Sequence, residues 1–309
     1  MKKESLNTIK KMYERGENII RYLKDNEIKK NNSDEMIMIS YDFQSGSYIK
    51  DVKENFEFNE KYTRAISKVI NNIGVEYDSI LEAGVGEATT LANLIPKLAI
   101  KPKNVYGFDL AWSRIRFAKE YIEEKKIFGS HIFVGNLFNI PLADSSIDVV
   151  YTSHSIEPNG GREKEALLEL FRVSKKYLVL IEPAYEFAST EAQKRMERHG
   201  YIKNLYSTAV SIGLNIVEHS LFDVCSNHLN PTGILIIKKE FNDNRIVSNP
   251  FICPVTKTTL ELIKNSYFTK DGLLVYPIID GVPILLKEHA VVATHFTDDF
   301  KIINRDNDC

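Results

Sequence analysis

Four short stretches of this chain place carboxylates, an amide, an imidazole and glycines where apolar runs give way to turns. In the first, Ile80-Leu81-Glu82-Ala83-Gly84-Val85-Gly86, a carboxylate precedes two glycines, whose missing Cβ atoms let a ligand approach the backbone. The second ends Gly107-Phe108-Asp109, an acid about twenty residues past that turn, where it can grip a ribose diol. The third ends Val134-Gly135-Asn136-Leu137 and presents an amide. The fourth continues as Ser153-His154-Ser155-Ile156-Glu157, with His154 the first candidate for a general base because its ordinary pKa lies near neutrality. Glu157 is the second. Each has a plainer alternative, since His154 could cap a strand end and Glu157 could bind backbone near Asn159-Gly160-Gly161.

The elements that must hold these groups follow from periodicity. Apolar runs at Ser79–Leu81, Val105–Phe108, Ile132–Val134, Ile147–Tyr151, Tyr177–Ile181, Ile216–Val217 and Gly233–Ile237 alternate with helix patterns such as Ser113–Lys125 and Glu163–Val173. That alternation predicts βαβ units and one doubly wound α/β domain over 77–240. Ahead of it, residues 1–76 read as a helical segment. Ile9, Met12, Ile19, Ile20 and Leu23 recur at helical spacing, Asn31-Asn32-Ser33-Asp34 breaks the helix, Tyr41–Tyr48 reads as an aromatic loop, and Glu60–Ile73 as a second helix. Past the polar bridge Phe241–Arg245, residues 247–288 form a small β-rich unit, and 289–309 a tail. In the small unit Asp280-Gly281 between two apolar runs signals a hairpin.

Composition narrows the function. With 43% hydrophobic and 27% charged residues the chain is globular rather than mainly disordered. Forty basic against 42 acidic side chains leave a net charge of −2, which argues against a protein built to grip nucleic acid through a basic face. Apolar stretches are only strand-sized, too short for a membrane span, and no leader pattern opens the chain, so a cytoplasmic location is expected. Cys225, Cys253 and Cys309 form neither a disulfide framework nor a metal-ligand set.

The ligand can be narrowed further. A dinucleotide fingerprint needs a third glycine where Thr89 stands, and Glu82 would repel a pyrophosphate but favour a cation. A cationic adenosine derivative without phosphate is S-adenosylmethionine. The chain resembles the class I S-adenosylmethionine-dependent methyltransferases over about Ser79 to Lys238. The matching motifs are Glu82-Ala83-Gly84-Val85-Gly86, Gly107-Phe108-Asp109, Asn136 and Ile140–Val150. The resemblance implies a seven-stranded, mostly parallel Rossmann-like sheet, and a methyl donor held as follows. Glu82 would orient the methionine amino group, Gly84 and Gly86 would admit the methionine part, Asp109 with Leu110 would take the ribose, and Asn136 with Leu137 the adenine. Ser153 would border the donor, and Tyr41 and Gln44 would close over it from an N-terminal lid. The chain departs from the family at Asn136, more often Asp, and at Ala88, usually glycine.

For the acceptor, Arg162 could clamp an acid, and Glu182 and Tyr185 lie past the end of the fifth strand, facing the same crevice. The aromatic-proline tetrapeptide of base-amine methylating enzymes is absent after the fourth strand, which lowers a nucleobase reading. Ser153–Glu163 looks like a bacterial subgroup found among surface-glycan enzymes, implying a hydroxyl of a sugar or sugar-linked acid. Residues 251–287, through Ile252-Cys253-Pro254-Val255-Thr256 and Tyr276–Leu286, resemble the small zinc-ribbon-like activator of tRNA and translation-factor methyltransferases. Only Cys253 keeps a ligand position there, so no metal is expected and docking or dimerisation is. The rival readings are an RNA or protein methyltransferase and a non-catalytic scaffold of the same fold.

Overall fold

Runs such as Ser79–Ala83 are buried along their whole length, as strands covered on both faces by helices must be. A computed structural model describes residues 6–17, 19, 22–23, 33–240 and 247–298. Its main sheet contains β1 (Ser79–Ala83), β2 (Asn104–Asp109), β3 (Ser130–Val134), β4 (Ile147–Ser153), β5 (Ser174–Pro183), β6 (Asn215–Leu221) and β7 (Thr232–Lys238), ordered β3-β2-β1-β4-β5-β7-β6. Pairing is parallel from β3 through β5, and β7 runs antiparallel to both of its neighbours. The expected mostly parallel sheet is therefore the architecture. Order reverses at β1, so the carboxyl ends of β1 and β4 border an open crevice.

Alternate residues feed two cores, one on each face. Ile80, Val105, Val149 and Val179 pack with Ile66, Ile70, Leu91 and Ile115 from α4 (Phe56–Asn72), α5 (Thr89–Leu94) and α6 (Trp112–Glu124). Leu81, Tyr106, Val150 and Leu178 pack with Leu167 and Leu170 from α7 (Glu163–Val173).

The N-terminal segment differs from the sequence expectation in two respects. Helix α1 (Leu6–Glu14) buries Ile9 and Met12, and Ser33 caps α2 (Asp34–Phe43) by accepting from the Met36 N–H at 3.3 Å. The stretch 41–48 is not a loop, because only residues 44–46 turn before α3 (Ser47–Glu54) begins. Gly46 makes the corner at φ 89°. The cap for α3 comes from afar. Glu87 accepts from the N–H groups of Gly46, Tyr48 and Ile49 at 2.9, 3.4 and 2.8 Å, placing a carboxylate against the positive end of the helix. Helix α4 starts at Phe56, ahead of the expected Glu60. Ile20, Asn31, Asn32, the bridge 241–245 and Cys309 lie outside the described residues.

After the seventh strand come β8 (Glu261–Ile263), β9 (Ser266–Thr269), β10 (Leu274–Ile279), β11 (Val282–Pro283) and β12 (Val291–Val292). Asp280 and Gly281 turn β10 into β11 at φ 51° and 71°, the positive pair that a two-residue hairpin requires. Val291–Val292, expected in a tail, pair with Leu274 and Val275. This unit covers the outer edge of the main sheet. Ile284 bridges Val134 in parallel, the Leu285 N–H donates to the Val134 carbonyl at 2.9 Å, and Phe251 bridges Leu142. Val282, Ile284 and Leu286 join one core, while Phe251, Tyr276 and Leu285 join the other. An edge strand left open would expose unpaired backbone and apolar surface.

Leu285 is fully buried at that seam. Leu285→Ala should lower unfolding free energy by about 2–5 kcal/mol, read by urea denaturation. A single lost transition rather than two would show that the small unit and the sheet unfold together.

Candidate active site

The crevice above β1 and β4 is a cavity lined by Glu82, Gly84, Gly86, Asp109, Leu110, Asn136, Leu137, Ser153 and His154, with Asp34, Ile37, Tyr41 and Tyr48 closing it from α2 and α3. Asp34, Ile37 and Tyr41 follow helical spacing, so one face of α2 is the roof. Gln44 would continue that face, but the helix stops at Phe43 and the Gly46 corner substitutes Tyr48. Gln44 therefore does not line the cavity, contrary to expectation.

Glu82 ends β1 opposite Tyr151 of β4, whose hydroxyl donates to Glu82 Oε2 at 2.8 Å. It is 2% exposed, and burial pushes its carboxyl up to about 8, against the pull of Tyr151 and the Leu91 N–H. No cationic side chain contributes to that balance. A buried acid without a cation is poised to receive one.

Asp109 accepts from the Gly86 N–H at 3.1 Å and from the Ala111 N–H at 3.0 Å. Burial raises its pKa, while Arg114 and the surrounding N–H groups pull it back. Gly86 stays bare because an added Cβ would stand 3.2 Å from Arg114 Nη1. At Gly84 the added Cβ would come within 2.2 Å of Ser155 Cβ. That glycine therefore makes room for the loop after β4 as well as for a ligand.

Arg114 escaped the sequence reading. It is 5% exposed on the inner side of α6, its guanidinium 4.5 Å from the Tyr41 ring centre and 4.3 Å from that of Tyr48. Its Nε donates to the Tyr41 carbonyl at 3.2 Å, and its Nη2 has no hydrogen-bond partner. The available signal was an arginine beside Ile115, Ala118 and Ile122 on the buried side of a helix.

His154 sits at φ 55°, a strained conformation for a residue with a Cβ. Its Nδ1 lies 2.6 Å from Glu157 Oε2 and its Nε2 3.0 Å from Thr232 Oγ1. Burial alone would lower its pKa, but the hydrogen bond and charge of Glu157 outweigh that and hold it above the ordinary imidazole value. Burial likewise works against ionised Glu157, yet His154, Tyr201 and Asn230 keep its pKa below the carboxylate norm. The Asn230–Gly233 segment thus meets both candidates, Thr232 at His154 and Asn230, whose Nδ2 donates to Glu157 Oε1 at 3.2 Å. Glu157 stands behind His154 rather than in the cavity lining.

Three residues expected to meet the acceptor do not line the cavity. Glu182 is buried beneath the loop after β4 and accepts from the N–H groups of Ser155, Ile156 and Glu157 at 3.0, 3.2 and 3.1 Å. Arg162 pairs with Asp34 at 2.6 Å and with Glu165 at 3.1 Å, its guanidinium over the Phe138 ring. Tyr185 lies on a turn past β5 and donates to Glu197 at 2.8 Å. Among the described residues no group of three or more His, Cys, Asp or Glu has metal-holding geometry, and Cys253 Sγ lies 3.1 Å from the Tyr276 hydroxyl.

Comparison with known proteins bears on the family and the fold. Residues 80–177 match the family described as methyltransferase domain. Magnesium protoporphyrin IX methyltransferase from Synechocystis PCC 6803 has a similar fold, with a TM-score of 0.50 at 14% identity, covering 65% of this chain and 99% of that one. A SAM dependent methyltransferase from Aquifex aeolicus is 18% identical at a TM-score of 0.41, covering 55% of this chain and 87% of the other. The UPF0434 protein of Marinomonas sp. (strain MWYL1) is 38% identical over 53 residues, 16% of this chain and 82% of that protein. Among the described residues no helix is long and apolar enough to cross a membrane. The chain carries a class I S-adenosylmethionine-dependent methyltransferase domain whose donor is S-adenosylmethionine, and a small C-terminal region that weakly matches the UPF0434 protein.

Proposed function

We propose that this methyltransferase acts on a small molecule at an oxygen, with His154 as the base and Glu157 as the residue that orients it. The observation that carries the reading is the roof. Helices α2 and α3 are tied over the cavity by Asp42 to the Ser113 N–H at 2.9 Å, by Glu87 to the start of α3, and by Asp34 to Arg162. A covered cavity suits a small acceptor better than a polymer. The finer reading, a hydroxyl of a sugar or sugar-linked acid in surface-glycan biosynthesis, draws on the likeness of Ser153–Glu163 to glycan enzymes. A macromolecular acceptor is the second reading, favoured by the UPF0434 unit.

When bound, the donor supplies a sulfonium-held methyl group with a neutral leaving group. Glu82 takes its ammonium, and Asp109 accepts from the ribose hydroxyls with the lone pairs that Gly86 and Ala111 leave free. Glu157 fixes Nδ1 of His154 as the protonated nitrogen, so the neutral ring carries its basic lone pair on Nε2, which lies 3.0 Å from the Thr232 hydroxyl at the edge of the cavity that His154 lines.

Three outcomes test this. Asp109→Ala should weaken binding of S-adenosylhomocysteine by about 2 kcal/mol in calorimetry, and unchanged affinity would remove its ribose role. Because Glu82 holds its proton up to about 8 in the free protein, pairing with an ammonium at pH 7 should expel close to one proton. The binding enthalpy should then differ between phosphate and Tris buffers, and Glu82→Gln should erase the difference. His154→Ala should slow turnover roughly 100-fold or more. In the unaltered enzyme, turnover should rise with pH through the raised His154 pKa, where the neutral ring appears. Glu157→Gln removes the charge that raises it, so the rising limb should move to lower pH. A limb that stays in place would dismiss His154 as the titrating base.

A further inference from the structure

With Glu82 assigned to the ammonium and Asp109 to the ribose, the cavity also holds a bonded polar pair, Asp34 of α2 and Asn136 after β3. The Phe138 N–H donates to Asn136 Oδ1 at 2.8 Å, which fixes the amide so that its Nδ2 faces the roof. That Nδ2 donates to Asp34 Oδ2 at 3.0 Å. Arg162 Nη1 holds the other oxygen, Asp34 Oδ1, at 2.6 Å. A carboxylate has about four acceptor sites and an amide nitrogen two hydrogens, so Asp34 keeps free lone pairs and Asn136 a free N–H. Both side chains line the cavity beside Leu110, Leu137 and Phe138, an apolar setting suited to a flat base.

An adenine edge carries one donor, the N6 amine, next to one acceptor, N1. A carboxylate beside an amide N–H is the complement of that edge. We infer that Asp34, presented by Asn136 and Arg162, is the group that reads the N6 amine of the donor's adenine, so the roof helix itself selects the base. Asn136 alone is not placed to do this, because its Oδ1 is turned to the Phe138 N–H and it is the donor Nδ2 that faces the roof. The consequence is that closing α2 over the cavity and recognising the adenine are one event. The inference rests on the donor orientation proposed above.

The test compares S-adenosylhomocysteine with S-inosylhomocysteine, whose base carries an acceptor O6 and a donor N1–H instead. Calorimetry on the full chain should show the inosine compound bound on the order of 100-fold more weakly, because its O6 would face a carboxylate. Asp34→Asn, nearly equal in shape, replaces acceptor by a mixed amide. It should weaken the adenosine compound about tenfold and shrink the adenine preference to within about tenfold. The ratio of the two affinities is independent of the fraction folded, so loss of stability cannot mimic the result. An unchanged ratio in Asp34→Asn, while Asp109→Ala weakens both compounds, would overturn the role of Asp34 and leave the orientation standing. Full affinity for both compounds in Asp109→Ala would overturn the orientation and this inference together.

Discussion

The site depends first on a carboxylate that never meets the ligand. Glu182, near the end of β5, gathers three successive N–H groups from the loop after β4. Burial pushes its carboxyl up to about 7, while those N–H bonds and the His154 charge offset part of the desolvation cost. With the loop pinned, His154 is held at its positive φ and Ser155 is pressed into the space that Gly84 leaves empty. The strand that carries Glu182 thus sets the position of groups on the neighbouring strand's loop.

Around that anchor the cavity collects negative charge, and its balance explains the rest of the arrangement. Glu82 is a buried acid and Asp109 a half-buried one, and desolvation raises the pKa of both. Two cations come from helices, Arg114 of α6 acting on Asp109 and Arg162 at the start of α7 pairing with Asp34. Both are also tied to the roof, Arg114 through the rings of Tyr41 and Tyr48 and Arg162 through Asp34. Closing the roof and neutralising the cavity are therefore coupled.

The small unit answers a different need. A sheet ending at β3 would leave an open edge, and Ile284 and Leu285 occupy part of it while Phe251 bridges the segment that follows. Residues from this unit enter both cores, so the two pieces form one packed body rather than a domain with an appendage. The Arg116–Asp280 pair and the Trp112 Nε1 bond to the Ile279 carbonyl extend the seam along α6, the helix that also carries Arg114. Support for the edge is thereby also support for one wall of the site.

The sequence by itself determined the order of strands and helices, the Asp280-Gly281 hairpin and the chemistry of the donor. These are local properties. Alternation of apolar residues, glycine at positive φ and an acid at a strand end are each written in adjacent residues. Tertiary structure decided what covers the site and which polar groups are free to act. The cap that makes α3 a helix joins residues 41 positions apart, the Asn136 contact joins residues 102 apart, and the Arg162 contact joins residues 128 apart. Glu182 and Arg162 have the residue types of ligand-binding groups, and only their packing shows that backbone and Asp34 have already claimed them. A side chain's type states what it can bond. The fold alone states what it is left to bond with, because burial forces each polar atom to take the nearest partner available.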